Sequence, residues 1–225
     1  SPLPVEIYRH SHVLIFGRGS TGKAGLGLCI ASAPPVTNDL ENPREVHSSG
    51  LARRVLVISF LYPERYYAEL LTKLSPPWPD NSWVDHSNGR PSSQVKLEVI
   101  HVSPGFIGVE DLFAKIAKSL DAAELSGWPY ESVLIDGLHN VFLQFPRLDK
   151  NPMLWAVLFD LIRRKKLNLI ITHTTFSLGH LDDVVSQNVS ELSGRALPLL
   201  HAVVQASDFV IEVVGSDLKS EARQN

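Results

Sequence analysis

Six short apolar runs spaced along the chain restrict its fold more than any other feature. They are Val13 to Phe16 (VLIF), Val55 to Phe60 (VLVISF), Val95 to Val102 (VKLEVIHV), Val133 to Ile135 closing on Asp136, Leu167 to Thr172 (LNLIIT) and Phe209 to Val214 (FVIEVV). Helical patterns lie between them: Glu64 to Leu74 is amphipathic, and Val109 to Leu120 sets Leu112, Ile116 and Leu120 on one face. Pro152 to Arg164 carries its proline in the first turn, where a missing N–H costs least. A strand that is apolar at nearly every position must be covered on both sides, and strands alternating with helices form parallel crossovers. The predicted class is therefore α/β, a mostly parallel twisted sheet with helices on both faces.

A length of 225 residues suits one domain spanning 1–225. Two stretches read as loop excursions: 34–52, which is polar, and 75–93, which is rich in Pro, Ser, Asn, Asp and Trp. Gly179 to Ser193 fits either loop or helix. The formal charge of -3 gives no general attraction to nucleic acid or to an anionic membrane, so such binding would need a local patch. Cys29 is the only cysteine, which excludes an intrachain disulfide and suits the cytoplasm or nucleus. No apolar run approaches the roughly 20 residues of a membrane span, so no membrane partner is expected. A chain opening on Ser1 rather than Met is expected to be trimmed, processed or part of something longer.

The strongest motif follows the first strand directly: Gly17-Arg18-Gly19-Ser20-Thr21-Gly22-Lys23-Ala24. It fits G-x-x-x-x-G-K but has Ala24 where the full pattern has Ser or Thr. Glycines let backbone N–H groups close around phosphate oxygens, the following helix start adds partial positive charge, and the lysine neutralises the outer phosphates. The missing hydroxyl is the usual Mg²⁺ ligand. A plain glycine turn that happens to hold a lysine is the competing reading. The second element is Ser132 to Leu138 (SVLIDGL), whose Asp136 ends an apolar strand and is the candidate metal-side carboxylate. Alone it would be an ordinary strand-terminal turn residue.

With these motifs the chain resembles the RecA superfamily, most of all its KaiC/RadA-like branch. The resemblance spans most of the chain but rests on short pieces: GRGSTGKA, RRVLVISF, SVLIDGL, LNLIITHTT and SDFVIEVV. It implies a RecA-like P-loop NTPase core, ATP with Mg²⁺ as ligand, and assembly with further copies or a RecA-like paralogue into a ring or filament. It also places Thr172 and His173 where the family senses the terminal phosphate. The sequence departs from the family after the second strand, where a pair of acids would supply the base toward water. Leu61 and Tyr62 stand there, and Glu64 replaces the base only if the turn is shifted; otherwise Glu64 opens the next helix. With Ala24, two catalytic parts are missing, so the expected protein binds ATP with weak or absent hydrolysis. Noncatalytic recombinase paralogues and the RecA-fold accessory ring subunits of Elongator are such members. The alternatives are a scaffold subunit without nucleotide and an active ATPase linked to nucleic acid.

Other candidates have two readings each. Arg163, Arg164, Lys165 and Lys166 form a basic run, either a solvated helix end or a contact to nucleic acid or a neighbouring subunit. His10 and His12 flank a strand start without a Cys or carboxylate at ligand spacing. Asp182 and Asp183 read as a solvated turn or a paired carboxylate site, and Trp78 and Trp83 as loop packing or a stacking platform.

Overall fold

In the computed structural model, residues 10–18, 21–33, 53–74, 84–85, 90–91, 95–103, 105–145, 153–174 and 197–214 are described. Their elements run β1 (His12–Gly17), α1 (Lys23–Ser32), β2 (Arg53–Ser59), α2 (Glu64–Lys73), β3 (Val84–Asp85), β4 (Arg90–Pro91) and β5 (Val95–His101). There follow α3 (Val109–Leu125), β6 (Ser132–Asp136), α4 (Leu138–Gln144), α5 (Met153–Arg164), β7 (Asn168–Thr174), α6 (Leu197–Ala206) and β8 (Phe209–Val213). Six strands make one sheet in the order β5-β2-β6-β7-β1-β8, and every neighbouring pair is parallel. All six apolar runs belong to this sheet. The stretch 75–93 is not wholly loop, because β3 and β4 pair antiparallel within it.

The two faces can be read from strand alternation. Val13, Ile15, Val55, Val57, Leu134 and Ile170 point to one side and pack with Leu28 and Ile30 of α1 and Tyr67 of α2. Leu14, Leu56, Ile58, Val133, Ile135, Leu169 and Ile171 point to the other, under Leu112, Ile116 and Leu120 of α3, Leu138 of α4, Trp155 and Leu158 of α5, and Val203 of α6. Both sides are therefore dry, which explains why the central strands are apolar throughout. The small residues of α1 let it settle closely on the sheet. A β-carbon at Gly27 would stand 3.0 Å from Leu134 Cδ1 and 3.2 Å from Thr172 Cγ2. No helix among the described residues is long and apolar enough to cross a membrane.

Candidate functional site

The parallel strands all end at one edge, and the chain leaves them there toward different faces. From β1 and β2 it runs into α1 and α2 on one face; β6 leads into α4, and α6, which follows β7 in sequence, lies on the opposite face. Adjacent strands β2 and β6 thus part at their carboxyl ends. Open α/β sheets bind ligands in such crevices.

Gly17 closes β1 at φ 155°, and a β-carbon there would come within 2.4 Å of the Val213 carbonyl oxygen. Only glycine lets β8 approach this closely. Gly22 is the left-handed N-cap of α1, and its carbonyl accepts from Leu26 N at 3.0 Å. No side chain caps that end, and the first turn contains no acid. Lys23, the first residue of α1, is buried. Its ammonium donates to the Arg18 carbonyl and to Thr21 Oγ1 at 3.0 Å, while Thr21 Oγ1 donates to the same carbonyl at 2.9 Å. Ala24 follows in the first turn and has no hydroxyl. Gly19 and Ser20 lie outside the described residues.

Asp136, at the end of β6, is buried. Its Oδ1 accepts from Thr172 Oγ1 of β7, and its Oδ2 accepts from the Tyr67 hydroxyl of α2 at 2.5 Å. Thr172 Oγ1 in turn accepts from Gly137 N at 2.9 Å, which ties β7 to the turn after β6. Tyr67 also lies 2.8 Å from Ser59 Oγ. Burial pushes the Asp136 carboxyl above its ordinary range, and the Thr172 and Tyr67 hydroxyls and Lys23 pull it back. For Lys23 burial lowers the ammonium and the Asp136 charge opposes it. The two groups therefore sense each other without a direct ion pair. Burial and the Asp136 charge push the Tyr67 phenol up, which keeps it a proton donor to the carboxylate.

Two imidazoles complete the crevice. His173 of β7 is buried, its Nδ1 has no hydrogen-bond partner among the described residues, and its ring meets His139 of α4 edge-on at 6.1 Å. His139 Nδ1 accepts from Thr174 N at 3.3 Å. Burial holds both rings at a pKa of about 4, helped by Lys23, and for His173 also by His139. They are neutral at physiological pH, so Lys23 is the only cation this group of side chains supplies.

The turn after β2 takes neither form expected of a catalytic acid. Ser59 Oγ accepts from Tyr62 N at 2.9 Å and Leu61 N at 3.2 Å and donates to the Tyr62 carbonyl at 2.7 Å, which folds the chain back on itself. Leu61 then covers Gly137, where a β-carbon would stand 2.7 Å from Leu61 Cγ. Tyr62 stacks on Tyr66 with ring centroids 4.0 Å apart. Glu64 is exposed and is the first residue of α2, the position at which a carboxylate suits the helix dipole.

The structure thus gathers Gly17, Thr21, Gly22, Lys23, Asp136, Thr172 and His173 at one edge and leaves Glu64 on the surface of α2. Sequence reasoning missed Tyr67, Ser59 and His139. Tyr67 in the α2 pattern was the available signal for the first, since it lies on the buried face of an amphipathic helix. A Mg²⁺ ion fits these residues poorly. Ala24 offers no side-chain oxygen, both Asp136 oxygens already accept hydroxyl protons, and no group of three or more His, Cys, Asp or Glu suited to a metal exists among the described residues. The residues do fit a phosphate in kind: an uncapped helix start and a buried ammonium stand together in the β1–α1 turn, the ammonium held by the Arg18 carbonyl and Thr21.

The basic run is largely engaged within the fold. Arg163 donates to the Ala206 carbonyl at 2.8 Å, Arg164 pairs with Asp160 one turn back, and Lys165 bridges Asp121 and Glu124 at 2.7 and 2.6 Å. Lys166 turns the chain at φ 55°, and its carbonyl bonds the His10 ring. His12 is buried against Phe159. Trp78, Trp83, Asp182 and Asp183 lie outside the described residues. Comparison with protein-family models and with curated proteins finds no match.

Proposed function

We propose that this chain binds the phosphate tail of a nucleotide, with ATP as the leading candidate, at the β1–α1 turn, and turns it over weakly or not at all. The observation that carries the reading is the position of Lys23. Its buried ammonium lies in the first turn of a helix whose N-terminus has no side-chain cap, in electrostatic contact with Asp136 at the diverging carboxyl ends of parallel strands. Lys23 and the backbone of Gly17, Thr21 and Gly22 would hold the phosphates, and His173 and Thr172 would face the terminal one. Leu61 over Gly137 and the surface position of Glu64 support the absence of a general base, whose help is worth about 10²–10⁴ in rate. The RecA/KaiC-like resemblance extends the proposal to a noncatalytic subunit working beside further copies or a paralogue.

A second reading has its own support. Lys23 is satisfied by the loop carbonyl and Thr21, and Asp136 by Tyr67 and Thr172, so the crevice is internally neutralised without a ligand. On that reading the chain is a scaffold whose loop is a relic. Calorimetric titration of ATP, with Mg²⁺ and with EDTA, separates the two. Nucleotide binding that is weakened by about 1.5–3 kcal/mol in Lys23→Ala, and only shallowly dependent on Mg²⁺, supports the first. No heat of binding in the unaltered chain leaves the scaffold.

A further inference from the structure

At the opposite edge of the sheet, where the strands begin, the described residues form a cleft of about 610 Å³ between the starts of β2 and β5 and the second half of α3. Arg54 and Lys96 face each other in register across β2 and β5, and Glu98 lies two residues further along the same face. Glu98 is already neutralised, because it pairs with Arg54 at 3.1 Å and accepts from the Tyr130 hydroxyl. Arg54 is also held by the Trp128 carbonyl at 2.8 Å and lies over the Tyr130 ring. That leaves Lys96, poised 5.1 Å from the Trp128 ring centroid, with Lys115 and Lys118 on the facing turn of α3. Neither Lys115 nor Lys118 has an ion-pair partner among the described residues.

Three ammonium groups without an ion-pair partner among the described residues thus surround one cleft. Mobile surface lysines commonly spread apart, whereas Lys96 is drawn over an aromatic face and the other two are fixed one helical turn apart. Compact, strongly hydrated point charges suit phosphate oxygens, and the volume exceeds what a single phosphate needs. We propose that this cleft binds a ligand carrying two or more linked phosphates, which bridges Lys96 on β5 to Lys115 and Lys118 on α3. The site is separate from the Lys23 crevice and does not depend on nucleotide binding there.

The test uses the full chain with Lys23→Ala, so that the contribution of the β1–α1 turn is reduced, and inorganic tripolyphosphate as probe. Binding is expected, weakening with added salt. Adding Lys115→Ala and Lys118→Ala, both exposed helix positions where alanine is a good helix former, is expected to weaken it by about tenfold or more with an unchanged circular dichroism spectrum. A single-stranded oligonucleotide run in parallel distinguishes the source. Parallel loss for both probes assigns the phosphates to a nucleic-acid backbone, and loss for tripolyphosphate alone assigns them to a free polyphosphorylated molecule. Three results overturn the proposal: no tripolyphosphate binding, an affinity untouched by the two substitutions, or equally tight binding of polyglutamate, which would mark the cleft as a seat for acidic peptides.

Discussion

Strands β1 and β2 both send the chain onto the same face of the sheet, yet their turns are built from different groups. The turn after β1 consists of glycines, backbone and one buried ammonium, which the Arg18 carbonyl and Thr21 hold within the loop. The turn after β2 is closed by its own groups. Ser59 satisfies the backbone of Leu61 and Tyr62, Leu61 covers Gly137, and Tyr67 caps Asp136. On the binding proposed above, the first strand end would hold the anion, and the second carries apolar and aromatic cover where a general base would be sought. Binding and turnover would then reside on different turns.

The largest effect should come from breaking the first turn. Gly17→Ala forces a β-carbon to 2.4 Å from a backbone carbonyl at positive φ, so a loss of about 3 kcal/mol in urea unfolding is expected. A loss under about 1 kcal/mol would mean that β8 yields readily and that the crevice is softer than described.

Next in size is pH. Burial holds His139 and His173 at pKa values of about 4 in the folded chain, against about 6.5 for a free imidazole. The unfolded chain therefore binds more protons between those values, and stability is full above pH 6.5 and falls as pH drops toward 4. The loss at the buried His173 alone is on the order of 3 kcal/mol, and the half-buried His139, screened by solvent, adds a smaller share. Asp136 works the other way, since its raised pKa makes the folded state the better proton acceptor at the acidic end. Urea midpoints measured across this range should fall on acidification, and His173→Gln should flatten the slope. An unchanged slope would place the buried imidazole elsewhere.

The second turn is probed more gently by Tyr67→Phe, which removes one hydroxyl from a buried carboxylate. The expected cost is about 1.5 kcal/mol, with any residual nucleotide turnover unchanged. Increased turnover would show that Tyr67 had been suppressing Asp136 rather than merely satisfying it. The smallest effect is expected for Glu64→Gln. An exposed first-turn carboxylate contributes only through the helix dipole, so stability should shift by less than about 0.5 kcal/mol and phosphate release should not change. Abolished turnover would restore Glu64 as the base.

The sheet was legible because a strand buried on both faces leaves an unbroken apolar run, and all six runs found their place. The short α4 and the helix α6 were missed: seven residues give too few turns for a period, and Pro198 and His201 interrupt the apolar stretch of α6. The crevice was half legible. Gly17 to Lys23 is a local motif, readable from adjacent residues. The Tyr67 bond to Asp136 spans 69 residues and the Gly137 bond to Thr172 spans 35, and no spacing rule encodes either. Whether Glu64 faced the crevice depended on the turn after β2. That turn was set by Ser59 hydrogen bonds, which a sequence pattern does not display.

The place of β1 in the sheet also bears on how the chain reaches this structure on the ribosome. Of the six described strands of this sheet it comes first in the chain, yet its two neighbours, β7 and β8, come last, and Ser11 N meets the Asn168 side chain 157 residues away. The block β5-β2-β6 can pair while translation continues, but β1 must wait, apolar on both faces, until its partners emerge. Within the described sheet, the β1–α1 turn is thus synthesised before the strands that flank it and takes its shape only after them.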